Sequence, residues 1–167
     1  MEHIKRVLVE PLTPEAFAPY GRVVERPSKP YEFEGEGWGC WFPIQRLDGI
    51  ESLGVGITHS FRSGSRLLVT KMERHPNNEG LLIAVQGHII QPMAVPENLD
   101  DENALPDPDK VRAFLISPGQ AIIMKKGAWH SAALPVGSEI LYYFAADSSG
   151  SYPWVSFQNK TTILLEL

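Results

Sequence analysis

The feature that most constrains the fold is a series of short apolar runs, each closed by glycine or proline. Glycine and proline occur 14 times each, and most stretches between them suit strands better than helices. The clearest runs are residues 54–60, 66–73 and 80–95, followed by "KVRAFLIS", "QAIIMKKG", "AWHSAAL" and "EILYYFAAD". Short strands at this spacing predict an all-β chain folded as an antiparallel sandwich or small barrel.

One segment carries a clear helix signal, "TPEAFAPYG" at residues 13–21. Thr13 is a residue type that caps helices, and Pro14 suits the first helical position. Gly21 ends the segment within about two turns. We therefore predict a short N-terminal helix in an otherwise β-rich chain.

Three other segments bear on the architecture. The run 80–95 is longer than an average strand, and Gly87 predicts a bend inside it. The acidic stretch 97–109 contains prolines and is typical of a solvated surface loop. The C-terminal "TTILLEL" predicts a further apolar strand, whose edge would seek a partner if it stayed unpaired.

Composition excludes several classes of protein. The 167 residues show no repeat or low-complexity linker, so we expect a single domain over 1–167. A net charge of −5 without a basic stripe argues against nucleic-acid binding, and no apolar run approaches the ~20 residues of a membrane span. The start lacks the apolar core of a secretory signal. Cys40 is the only cysteine, which fits the cytoplasm, and we expect it to act as a small buried hydrophobe.

Two segments carry groups suited to chemistry. "KMERHPNNEG" at 71–80 holds Glu73 and His75 two residues apart, with Glu79 further on. In 118–134, a strand, the glycine turn at Gly127 and a second strand would place His130 near the mouth of a barrel. The residues alone leave three interpretations open: a metal site, a metal-free acid–base set, or a polar turn after a strand.

These two segments resemble the two motifs of the cupin β-barrel. A closer resemblance covers most of the chain, because "EPLTPEAFAPYGRVVE", "MERHP" and "ISPGQAIIMKKGAWH" occur in the order found in the ureidoglycolate lyase family. The resemblance implies a cupin-type barrel or double-stranded sandwich. It also implies a carbon–nitrogen lyase, of the amidine-lyase type, that splits ureidoglycolate into glyoxylate and urea during allantoin catabolism.

The resemblance implies a catalytic set. Glu73 and His75 would form one wall of the site and His130 the facing wall. A histidine titrates near neutrality, and a partly buried glutamate can have its pKa raised, so such a set suits proton transfer.

The substrate is a small anion, and its carboxylate needs a cation or backbone donors. We expect Lys126 or Arg66 to bind it. His59 falls in the Asn-Arg pair of family members and is a third substrate-binding candidate. Gly80 stands where members have a glutamine.

The sequence fixes no cofactor, and two other functions stay open. Nitrogen and oxygen ligands from Glu73, His75, Glu79 and His130 suit a divalent metal such as Ni²⁺ or Mn²⁺. The chain would then be a metal-dependent isomerase or oxygenase acting on another small anion. The third possibility is a cupin that binds a ligand without catalysis. The resemblance also implies a homodimer.

Two neighbours of the site residues carry expectations of their own. Arg74 alternates with Glu73 and His75, so we expect it to face away from the site and form a surface ion pair. Trp129 precedes His130, and we expect it to pack outside the barrel.

Overall fold

The computed structural model describes residues 3–167, and most of its strands lie in two facing sheets. The larger sheet has seven strands: β1 (Ile4–Pro11), β6 (Leu67–Val69), β9 (Ile89–Ala94), β10 (Arg112–Ile116), β12 (Trp129–His130), β13 (Leu134–Pro135) and β16 (Thr162–Glu166). The smaller has five: β2 (Gly21–Val24), β5 (Leu53–Phe61), β8 (Gly80–Ala84), β11 (Ala121–Met124) and β14 (Glu139–Asp147). Two ribbons pair β3 (Phe33–Gly35) with β4 (Trp38–Cys40), and β7 (Lys71–Met72) with β15 (Val155–Ser156).

Strand order confirms the predicted cupin-type β-sandwich. The larger sheet runs β12-β9-β10-β1-β16-β6, with β13 also paired to β9, and the smaller runs β2-β11-β8-β14-β5. Most neighbours are antiparallel, but β1 pairs in parallel with both β10 and β16. Parallel partners need long connections rather than tight turns, and β1 is far in sequence from both partners. The predicted antiparallel pairing therefore holds for the other strands, and β1 is the exception.

Strand β9 of the larger sheet is buried on both faces. Ile89 and Met93 of β9 point into the core between the two sheets, whereas Ile90 and Ala94 point into a second core behind the larger sheet. All six residues of β9 are therefore buried, which explains the continuous apolar run in the sequence. Gly87, with φ +70°, lies in the turn between β8 and β9. Residues 80–95 therefore form two strands, which belong to two different sheets.

The predicted helix is present and short. It is α1 (Pro14–Phe17), and the Thr13 hydroxyl accepts a hydrogen bond from the Ala16 N–H at 3.1 Å. Phe17 and Tyr20 pack into the core between the sheets, which anchors this turn to the sandwich. Two 3-10 turns, Pro108–Lys110 and Gln158–Lys160, complete the helical structure of the described residues.

Two expectations about the chain's periphery were wrong. "TTILLEL" does form β16, but this strand lies between β1 and β6 and leaves no free edge. Cys40 lies in the small β3–β4 ribbon and is half-buried rather than part of a core. Within residues 3–167, no helix has the length and apolar character needed to cross a membrane.

Candidate active site

The site is built on one pair of opposed residues, Glu73 and His130. Each backbone N–H donates to the other residue's carbonyl at 2.9 Å. Opposed residues in such a bridge place their side chains on the same side, so both face inward. Alternation along the chain turns His75 the same way. The Gly127 N–H donates to the His75 carbonyl at 2.7 Å, which ties the predicted glycine turn to this segment.

The three side chains converge. Glu73 Oε1 lies 3.6 Å from His130 Nε2 and 3.8 Å from His75 Nε2. The two imidazoles meet edge to face, with ring centres 5.1 Å apart. Tyr152 stacks on the other side of His75 at 4.2 Å. His75 and His130, 55 residues apart in sequence, thus line one cavity of about 290 Å³.

The backbone fixes the orientation of the His130 ring. Its Nδ1 lies 3.0 Å from the Ala128 carbonyl oxygen, and a carbonyl can only accept, so Nδ1 carries the hydrogen. The other nitrogen, Nε2, faces Glu73 and the cavity. In the neutral ring this nitrogen is the free base, and it is therefore the atom that can exchange a proton with a bound molecule.

Glu73 is held in its ionised form. Burial raises its pKa, but the facing imidazoles of His130 and His75 lower it by more, and the balance is a pKa of about 2. The expectation that burial would raise this pKa was wrong, because the imidazoles lie on the same side as the carboxylate. An ionised carboxylate of this kind is a weak base. It is better suited to stabilise a protonated imidazole than to remove a proton itself.

We expect Glu73 to make the fold sensitive to acid. Its ordinary pKa is 4.5 and its folded pKa is about 2, so the lowered value stabilises the fold above pH 4.5. This contribution, about 3 kcal/mol, is lost as the pH falls from 4.5 through 2. Urea unfolding of wild type and Glu73→Gln from pH 7 to pH 2 measures it. Their difference in free energy of unfolding should shrink across that window, and a constant difference would contradict the assignment.

The rest of the cavity wall is mostly apolar, with a few polar groups that the motifs did not indicate. These polar or partly polar lining residues include Thr58, Gln91, Tyr142 and Trp154. Burial raises the pKa of the Tyr142 phenol, which keeps it protonated.

Gly80 also lines the cavity, and an added Cβ would meet nothing closer than Met124 Cε at 3.5 Å. The position where family members have a glutamine therefore faces the site and has room for a side chain.

Glu79 is not part of the cluster. It lies next to the inward-facing Gly80, and its buried carboxylate points the other way, toward Arg22. Arg22 Nη1 and Nη2 donate to its two oxygens at 2.6 and 2.8 Å, and the Asp48 N–H donates to Oε2 at 3.1 Å. The Arg22 hydrogen bonds outweigh burial and lower the pKa of Glu79. Including Glu79 among the metal ligands was wrong, since successive residues of a strand point to opposite faces.

The three substrate-binding candidates lie outside the cavity wall. Lys126 Nζ pairs with Asp48 Oδ2 at 2.7 Å, and His59 sits on the outer face of β5, 3.1 Å from Glu139. Arg66 lines a neighbouring groove of about 580 Å³ that shares Ser131, Ala132 and Trp154 with the cavity. The structure therefore does not support Lys126 or His59 as substrate contacts. Arg66 lines the groove that adjoins the cavity.

Arg74 faces away from the cavity, as expected, but it forms no ion pair with any residue of the described range 3–167. Its guanidinium is buried, lies 4.7 Å above the Trp129 ring, and donates to the backbone carbonyls of three residues in the 97–109 loop. Trp129 packs on the outer side of the larger sheet and is itself buried in the second core. The loop is thus anchored through its backbone, although most of its side chains are exposed.

The remaining cluster has a composition suited to a divalent metal. Glu73, His75 and His130 each offer one ligand atom, and these atoms lie within 4.8 Å of one another. Donors around one ion at ~2.1 Å are about 3–3.5 Å apart, and the separations of 3.6 and 3.8 Å from Glu73 to the two imidazoles are somewhat longer. The bond from His130 Nδ1 to a backbone carbonyl is also the usual support of a metal-bound histidine. Three protein donors of this kind would leave further positions open on the ion.

Comparison with known proteins gives a consistent result. A family model described as ureidoglycolate lyase matches residues 4–153. The ureidoglycolate lyase of Rhodobacter capsulatus is 30% identical over 139 residues, covering 81% of this chain and 82% of that protein. The ureidoglycolate lyase of Burkholderia mallei is 29% identical over 160 residues, covering 93% and 90%. RmlC from Streptococcus suis, solved with dTDP-D-xylose, aligns with a TM-score of 0.43 at 9% identity over 66% of this chain and 60% of that chain.

The matched region contains the parts that build the site. Residues 4–153 run from β1 through β14 and include Glu73, His75 and His130. The two relatives extend over most of their own length as well as most of this chain. The TM-score of the RmlC alignment is too low to add to this conclusion. On the family match and the two relatives, the chain belongs to the ureidoglycolate lyase family.

Proposed function

We propose that this chain cleaves ureidoglycolate to glyoxylate and urea by acid–base elimination. The observation that carries the proposal is the convergence of Glu73, His75 and His130 in one cavity of a chain from this family. The reaction needs a proton removed from the substrate hydroxyl and a proton supplied to the departing urea nitrogen. The cavity provides two imidazoles for these transfers and one carboxylate to stabilise their charged forms.

His130 is the proposed base. Its Nδ1 is committed to the Ala128 carbonyl, so Nε2 is free to accept the hydroxyl proton. As the ring becomes positively charged, the ionised Glu73 at 3.6 Å stabilises it. Loss of the hydroxyl proton lets the carbon–oxygen double bond of glyoxylate form while the carbon–nitrogen bond breaks.

His75 is the proposed acid. Its Nε2 also faces Glu73, at 3.8 Å, and the stack on Tyr152 holds the ring in place. A protonated His75 would supply the proton that the urea nitrogen takes up as the carbon–nitrogen bond breaks. Two imidazoles sharing one carboxylate thus divide the roles of acid and base.

None of the described residues that line the cavity is lysine or arginine, so a cation for the substrate carboxylate would have to come from outside the cavity wall. The neighbouring groove is lined by Arg62, Arg66 and Lys71, with no carboxylate among its lining residues. It joins the cavity wall at Ser131, Ala132 and Trp154. Arg66 therefore remains the proposed carboxylate contact, now through the groove.

The same three donors are proposed to hold a divalent metal, Ni²⁺ or Mn²⁺, when one is bound. Glu73, His75 and His130 would be its protein ligands, and the metal would polarise an oxygen of the bound anion. This is an alternative to the two imidazole proton transfers, because a metal-bound Nε2 can neither accept nor donate a proton. We expect titration calorimetry of chain purified without chelator or nickel resin to give about one site per chain. His130→Ala should abolish this binding and His88→Ala should leave it unchanged. No binding by the wild type would end the metal proposal and leave the metal-free acid–base set.

A direct assay tests the proposed function. Purified chain, incubated with ureidoglycolate with and without added Ni²⁺ or Mn²⁺, should release glyoxylate and urea in equal amounts. A parallel panel of other small hydroxy- and keto-acids tests the isomerase and oxygenase alternatives. Turnover of another acid with none of ureidoglycolate would contradict the lyase assignment. Binding without any turnover would support a ligand-binding role instead.

The proposed assembly is a homodimer, and its physical support differs from the one expected. β5 is the last strand of the smaller sheet, and its outward residues Val55, Ile57 and Phe61 are 75%, 58% and 62% exposed. Leu141 and Tyr143 of β14 extend this apolar face. These five exposed apolar side chains would form part of an interface of standard size, to which each partner contributes ~800 Å². A second copy, paired about a twofold axis, would cover both this face and the free edge of β5.

Ile57→Glu should convert the dimer to a monomer, because it places a charge in the centre of the apolar face. Size-exclusion chromatography with light scattering measures the mass. Leu8→Glu is the matched control, since Leu8 is as exposed but lies on β1 in the other sheet, and it should leave the dimer intact. A monomeric wild type at micromolar concentration would contradict the dimer.

The cytoplasmic location also remains a proposal, which cell fractionation tests.

A further inference from the structure

One residue of the cavity wall breaks the apolar pattern of its strand. Ile89, Gln91 and Met93 alternate along β9 on the face that looks toward the smaller sheet, and the two apolar ones belong to the core between the sheets. Gln91 stands between them, is only 1% exposed, and lines the cavity. A buried amide in an apolar row needs partners for both of its polar atoms.

The orientation of this amide is fixed by its surroundings. Gln91 Nε2 donates to the Ser131 carbonyl at 2.8 Å and to the Pro92 carbonyl at 3.1 Å. Both partners can only accept, so the amide cannot be turned over. The oxygen, Oε1, is consequently on the other side, where it is buried and has no partner among the described residues.

Gln91 is distinguished from the residues of the other such atoms by lining the cavity. Within residues 3–167, two further buried side-chain atoms lack a partner, Arg62 Nε and Asn78 Oδ1, and neither residue lines the cavity. Gln91 also bonds to Ser131, which directly follows His130. The unpaired acceptor is therefore held by the same segment that carries the proposed base.

We propose that Gln91 Oε1 accepts a hydrogen bond from the terminal NH₂ of the substrate's ureido group and so selects ureido compounds over acylated ones. This inference rests on the proposed function. A carboxylate or carbonyl of a ligand cannot partner Oε1, because both are acceptors, so the group that sits there must carry an N–H or O–H. The ureido NH₂ supplies that donor. Its hydrogen bond would also satisfy an acceptor that is otherwise buried and unpaired.

The first test uses the wild-type chain and two analogues that lack the substrate hydroxyl and cannot be cleaved. N-carbamoylglycine carries the terminal NH₂, and N-acetylglycine has a methyl group in its place. Calorimetry or NMR titration should show that N-carbamoylglycine binds about tenfold more tightly or better. Equal affinities would overturn the inference. The measurement needs no turnover, so it is independent of whether glyoxylate is released.

The second test is Gln91→Met, which keeps the side-chain length and removes the acceptor. It should reduce the preference for N-carbamoylglycine to less than twofold, and leave affinity for N-acetylglycine nearly unchanged. The matched control is Gln120→Met, in the turn before β11, where the side chain accepts from the Ser117 N–H; its preference should equal that of wild type. Equal weakening of both analogues by Gln91→Met would mean a purely structural role and overturn the inference. If this variant fails to fold, the wild-type comparison still decides.

Discussion

Replacing His130 by alanine will lower kcat for glyoxylate release by about 10²–10⁴-fold, the usual contribution of a general acid–base group. The imidazole is the group whose free nitrogen faces both Glu73 and the cavity, and alanine removes it without adding volume. The backbone bonds between residues 73 and 130 do not involve the ring. The variant should therefore keep the circular dichroism spectrum and the unfolding midpoint of a folded chain.

Two further variants make this result specific. Glu73→Gln should also lower kcat by at least about 10²-fold, since a neutral amide no longer stabilises the imidazolium. His88→Ala is the matched control, because His88 is exposed and bonds Ser117 Oγ at 3.1 Å, and it should retain wild-type kinetics. Losses below tenfold in both His130→Ala and Glu73→Gln would mean that these residues do not carry the proton transfer.

The parts of the site that follow from local pattern were predictable. Alternation along a strand is enough to place Glu73 and His75 on one side and Arg74 on the other. A glycine turn at Gly127, whose φ is +74°, is likewise a local signal for the chain reversal between β11 and β12, the strand that carries His130. The same reasoning correctly gave the cap at Thr13 and the division of residues 80–95 at Gly87. These features depend on residues close in sequence, so a single sequence is enough to predict them.

The parts that depend on which elements meet in space were not predictable. Lys126 follows a strand in a plausible place, but its partner Asp48 comes from an irregular segment with no pattern to locate it. Tyr152 stacks on His75 from a similarly unmarked segment. The polar residue Gln91 within an apolar run was a visible signal. Its meaning depended on knowing that β9 has one face toward the cavity and another toward a second core.

Arg74→Met should lower the free energy of unfolding by about 3–5 kcal/mol, because it removes a buried guanidinium that donates to three carbonyls. The Arg74 guanidinium donates to the carbonyls of Glu97 and Asp101 at 2.6 Å and of Asn98 at 3.1 Å, and it covers the Trp129 ring. Methionine keeps the length of the apolar stem but loses every donor. The three carbonyls would then need water, and the loop would lose its anchor.

Urea unfolding at pH 7 measures the stability effect, and limited proteolysis within residues 97–104 measures release of the loop. The matched control is Arg6→Met, because the Arg6 guanidinium is exposed and pairs with Glu166 at the surface. Exposed pairs contribute little, so this variant should change the free energy of unfolding by less than about 1 kcal/mol. Equal effects of the two substitutions would mean that the loop is held by other contacts. A large effect of Arg74→Met alone would show that one buried cation, placed between two catalytic residues in sequence, orders the loop behind the site.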